Sequence, residues 1–124
     1  VLEVVAGGRT LALPLEDVRG VARAVPLVPI PGAPAAVAGL ANIRGTLVTV
    51  LDLERIGADG VTAAPVTLVA PSVVLLAGWE GRVGLAVERW GQVLPRAATP
   101  DVVAVAPLVG PWLEETTEDA EGGR

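Results

Sequence analysis

Short apolar runs alternate with polar or small residues along this chain, and Gly and Pro punctuate them; that rhythm predicts strands joined by turns. Val1 to Val5 reads as a strand, Gly7-Gly8 as a turn, and Thr10 to Leu13 as the returning strand. Leu15 to Asp17 predicts a short helical turn. Val18 to Val25 then resumes an extended pattern, with Arg19 and Arg23 outward. Pro26 to Pro31 is excluded as a central strand, because its prolines lack ladder donors. Pro34 suits the first position of a short helix, Ala35 to Ala38 continue it, and Gly39 ends it. The segment from Gly39 to Gly45 is then a loop leading to Thr46 to Leu53, the clearest strand in the chain. Residues 54 to 72 read as a linker with at most one short strand around Val66 to Val69. Val73 to Ala77 and Arg82 to Val87 make a second hairpin about Gly78-Trp79-Glu80-Gly81, and Val93-Leu94 continues it. Val102 to Val105 and Leu108-Val109 fit either type of element.

A faint internal repeat sharpens this outline. A displacement of 72 residues brings Leu13 onto Leu85, Glu16 onto Glu88, Val18 onto Trp90 and Val21 onto Val93. Both copies read as strand, Gly-containing turn, strand, acid, strand. The shared hairpin grammar predicts two related small barrels within one domain over residues 1–113. Residues 114–124 carry Glu114, Glu115, Glu118, Asp119 and Glu121 and read as an acidic loop or tail.

Composition supports a β core of limited chemistry. The core must come from Val, Leu, Ile and Ala with Trp79, Trp90 and Trp112, because Phe, Tyr and Met are absent. A chain of 124 residues buries roughly two thirds of its unfolded surface, enough for a core without disulfides. The net charge of −5 is concentrated at the C-terminal end. Residues 1–113 hold nine acids and eight Arg, so the body does not attract nucleic acid. Two long uncharged stretches, Ala24 to Ile43 and Gly60 to Trp79, are too rich in proline for a spanning helix, so no direct membrane insertion is expected.

Catalytic means are scarce. His, Cys and Lys are absent, which removes the usual general base, the thiolate and amine nucleophiles, thiolate metal sites and any P-loop. Glu16-Asp17 and Asp52/Glu54 are the nearest carboxylate pairs. The first decorates a helical turn, and Asp52 caps the element after its strand. No enzymatic activity and no cofactor or metal is expected.

The run from Leu11 to Leu53 resembles the CheW-like domain family. It carries Ala12-Leu13-Pro14-Leu15-Glu16-Asp17-Val18, a proline-bearing stretch through Pro29 and Pro31, and Val37 to Gly45, which is similar to the family's G-x-x-N-[LI]-R-G signature. Val50-Leu51-Asp52-Leu53 closes it like the family's VLDL, and Val73 to Leu94 is similar to the second family hairpin. The resemblance implies an all-β fold of two intertwined small SH3-like β-barrels with one or two short helices. It implies an adaptor that couples the cytoplasmic tip of chemoreceptors to the regulatory domain of a histidine kinase, in the cytoplasm at membrane-associated receptor arrays. By the same resemblance, Val18, Gly20, Val21, Asn42, Arg44 and Gly45 are the expected receptor-binding residues, and Trp79, Val83 and Trp90 the expected kinase-binding ones. Two departures stand out. Gly20 occupies a position where the family often has a carboxylate that pairs with the Arg matched by Arg44. The family's last apolar strand also has no counterpart before Arg124.

Read from the residues alone, Arg44 either contacts a partner or props its loop by bonding carbonyls, and Asn42 serves a turn conformation. Trp79 is an interface anchor or folds back over a barrel end, and Trp90 is core or groove wall. Three other readings stay open: a CheW-like domain of a larger protein such as the kinase, an unrelated small-barrel module that binds peptides by strand addition, and a carboxylate-dependent hydrolase.

Overall fold

Alternation decides most of this fold. The structure, a computed structural model, describes residues 1–56, 68–95 and 102–111. β1 (Leu2–Ala6) buries every second side chain, Leu2, Val4 and Ala6, and pairs through the Gly7-Gly8 turn with β2 (Arg9–Leu13). A 3-10 turn over Leu15–Asp17 leads to β3 (Val18–Pro26). Then come β4 (Val37–Ile43), β5 (Thr46–Asp52) and the one-turn helix α1 (Leu53–Ile56). β6 (Val69–Leu76), a 3-10 turn over Trp79–Gly81, β7 (Val83–Val87) and β8 (Arg89–Val93) complete the strand order. Residues 105–111 are helical.

The strands form two sheets, of order β2-β1-β8 and β3-β6-β7-β5-β4. The architecture is the all-β, two-barrel one, and the barrels are intertwined by an exchange. β3 comes after the first hairpin but pairs with β6 of the second, whereas β8 comes after the second and pairs with β1 of the first. The displacement of 72 survives in the pairing itself. Leu2↔Leu13 becomes Val74↔Leu85, Leu2↔Val93 becomes Val74↔Val21, and Val4↔Trp90 becomes Leu76↔Val18. Even the irregularity is shared: Arg19-Gly20 bulge between Val18 and Val21 as Gly91-Gln92 do between Trp90 and Val93.

Two apolar clusters fill the barrels. One gathers Leu2, Val4, Leu13, Leu51, Val74, Leu76 and Leu85 from both sheets, with Val105 and Val109 on one face of the 105–111 helix. The other gathers Val25, Leu27, Ile43, Val48, Val50 and Val73 within the larger barrel. Neighbours Val73 and Val74 belong to different clusters, so β6 is buried on both faces and is the wall the barrels share.

Three expectations are corrected. The short helix from Pro34 to Ala38 and the loop from Gly39 to Gly45 are instead a turn and β4, whose residues Val37, Ala41 and Ile43 face inward with period two. Gly39 serves close approach rather than a helix end: a Cβ there would press on the Val28 carbonyl, 2.6 Å away. Val28 and Leu40 exchange two backbone hydrogen bonds of 2.8 Å at this edge. Residues 69–72, read as linker, open β6, which starts at Val69 and not at Val73. Of the ambiguous pieces, Val105 and Leu108-Val109 are helix, whereas Val102 makes an isolated parallel bridge to Ala12. The acidic segment from Glu114 lies outside the described residues, as do residues 57–67.

Candidate partner-binding site

The candidate site is a groove of about 230 Å³ along the seam of the larger barrel, where its edge strand β3 approaches the β4–β5 hairpin. One wall is Arg19, Gly20, Val21 and Ala22 of β3. The other is Ile43, Arg44, Thr46 and Val48, with Leu75 and Gly81 also lining it.

Local structure fixes both cationic walls. Arg44-Gly45 is a two-residue turn between the paired Ile43 and Thr46, with φ of 53° and 82°. Positive φ at both central residues matches the twist of the strands it joins. Asn42 Oδ1 accepts a 3.0 Å hydrogen bond from the Gly45 N–H, which gives Asn42 the turn role its type suggests. Arg19 belongs to the β3 bulge, a device that re-aims a side chain. Its guanidinium lies against Gly81, where φ is +72° and any Cβ would collide with it. Among the described residues neither Arg19 nor Arg44 has a hydrogen-bond or ion-pair partner, and no acid lines the groove.

Of the residues expected at the receptor site, Gly20, Val21 and Arg44 come together here. Val18 and Val21 are half-buried against the first apolar cluster, Asn42 supports the turn, and Gly45 lines a different face with Leu40 and Leu47. Sequence reasoning missed Arg19 as a groove residue; its outward position on β3 was the available signal. The residues expected at a kinase contact differ in exposure. Trp79, in the 3-10 turn, and Trp90, on β8, are each 36% exposed, whereas Val83 is a core residue at 4% and offers no side-chain surface. Arg23 stands 5.5 Å over the Trp90 ring, a cation–π contact that ties β3 to β8.

A second cleft, of about 260 Å³, holds Asp52, Glu54 and Glu88 beside Ala6, Leu27 and Val69. Two of its carboxylates are engaged. Asp52 accepts from the Glu54 N–H at 3.0 Å, the expected cap of α1, and faces Arg55 Nε at 3.5 Å. Glu88 accepts from the Gly8 N–H at 3.3 Å. No group of three potential metal ligands occurs among the described residues, and none of the described helices is long and apolar enough to cross a membrane.

Fold and groove together define a small, intertwined two-barrel β domain with an open seam. The sequence model of the CheW-like domain family matches residues 1–99, and the chain belongs to that family. Among solved structures it is similar to the scaffolding protein TtCheW from Thermoanaerobacter tengcongensis, with a TM-score of 0.62 and 22% identity. That likeness covers 76% of this chain and 62% of TtCheW, and it bears on the fold. Comparison with curated proteins finds no match.

Proposed function

We propose that this domain is a non-enzymatic chemotaxis adaptor that couples receptor cytoplasmic tips to the regulatory domain of a histidine kinase. The family match over residues 1–99 carries the reading. The seam groove that unites Gly20, Val21 and Arg44 supports a receptor contact there. Exposed Trp79 and Trp90 are the candidate anchors for the kinase, since indoles concentrate binding energy where they are part-exposed. The domain then works in the cytoplasm, held at receptor arrays by its partners.

Transient signalling contacts are small, so the expected affinity is micromolar, about −8 kcal/mol. Titration calorimetry of the domain against the kinase regulatory domain and the receptor tip checks it, and absence of heat with both partners at high concentration sinks it. The family match also fits one further reading, that the domain is part of a longer chain such as the kinase itself. The full-length gene product decides this, because a kinase adds an ATP-binding domain.

A further inference from the structure

We infer that Arg19 and Arg44 act as a pair of guanidinium walls that make the seam groove select a partner segment bearing carboxylates beside apolar side chains; this deepens the adaptor reading and rests on it for the partner's identity. Between the arginines lie Val21, Ala22, Ile43, Val48 and Leu75; Ile43 and Val48 are buried, so the open surface is apolar and polar in about equal parts. Among the described residues its only charged lining residues are the two arginines, which stand on opposite walls. Glu80, next to the lining residue Gly81, faces Arg82 at 4.0 Å instead. Unpaired guanidinium groups beside a partly apolar lining call for a ligand that supplies both parts: apolar area for the apolar share, and a carboxylate for each planar fork of donors.

The arrangement is specific to one barrel. The bulge repeats at the position displaced by 72, but there Gly91 stands where Arg19 stands here, and its neighbour is the carboxylate of Glu3, 3.0 Å from the place a Cβ would take. The same backbone device therefore presents a cation in one barrel and none in the other. Arg44 adds to this, because a non-glycine residue with φ of 53° is held where Asn or Gly would sit more easily. In this position the exposed side chain makes no hydrogen bond or ion pair among the described residues.

Two probes separate this inference from the reading it rests on. The first is a pair of synthetic amphipathic peptides of Leu with Glu, and of Leu with Gln, titrated at low salt while the Arg Nε–Hε resonances are monitored. The Glu peptide should bind about tenfold more tightly than its Gln twin, lose that advantage in high salt, and shift the Arg19 and Arg44 signals. Arg19→Glu and Arg44→Glu should each remove the preference. Arg9→Glu, the same charge change on an exposed residue outside the groove, should keep it. Equal binding of the two peptides, or an equal loss in Arg9→Glu, overturns the inference. The second probe is the receptor tip itself, with and without its acids changed to amides. Carboxylate preference for the peptides with no tip binding overturns the adaptor reading and leaves the inference standing. Tip binding indifferent to those amides does the reverse. Salt-sensitive dimers in sedimentation that Arg19→Glu abolishes would assign the groove to a second copy of this chain and also overturn the inference.

Discussion

At the scale of single residues, Arg44 and Gly81 show how this chain sets conformational cost against presentation. A left-handed backbone costs an L-residue about 1 kcal/mol, and Asn bears it better than Arg. Arg44→Asn should therefore raise the denaturant midpoint by a few tenths to about 1 kcal/mol equivalent while weakening receptor-tip binding. A lower midpoint with unchanged binding would make Arg44 a structural prop. Gly81 works in the opposite sense. It combines φ of +72° with the close approach of Arg19, so Gly81→Ala should cost about 1–2 kcal/mol. The φ strain carries most of that cost; the smaller part is moving the flexible end of Arg19 aside, and Arg19→Ala should recover that part alone. A double-mutant cycle reads it as a coupling energy, and strict additivity would show that the two residues do not meet.

At the scale of elements, a repeated register does not bring repeated burial. Val21 and Val93 are equivalent by pairing, yet Val21 is half-buried while Val93 is 60% exposed on a strand with no buried residue. Leu85→Ala, in the shared core, should cost about 2–5 kcal/mol, and Val93→Ala less than about 0.5. Thermal or denaturant melting of the two variants checks this, and similar losses would mean that β8 is covered in solution. The elements also show what was legible beforehand. β1, β2, β3, β5 and β7 were readable because alternation and turn glycines agreed. β4 was not, since Pro34, an Ala run and Gly39 imitate a helix start and stop, and only the proximity of Val28 reveals the other use of Gly39. The start of β6 was hidden by Pro71. Pairing to β7 begins at Ser72, so the missing N–H of Pro71 costs no bond on that side. Gly20, Val21 and Arg44 were legible through family resemblance. Arg19 was not, because its placement depends on Gly81, which is distant in sequence.

At the scale of the whole molecule, the exchanged strands make each half incomplete. The first half holds β3 on behalf of the second, and the second returns β8. Residues 1–60 and 61–124 produced as separate chains should each lack tertiary structure, because a hairpin without its third strand is at best marginal. Mixed, they should assemble one to one into a folded complex. Size exclusion with circular dichroism reads the result, and a folded, monomeric half on its own would contradict the exchange.

β6 feeds one cluster through Val73 and the other through Val74, so the two barrels share one interior wall. In thermodynamic terms the domain should then be one cooperative unit, with heat emptying both barrels together. Scanning calorimetry should give a single transition whose calorimetric and van't Hoff enthalpies agree. Two separable transitions would mean that the shared wall divides the molecule. With one unit, a partner that tightens the seam between β3 and β4 raises the melting temperature of the three-stranded sheet it never touches.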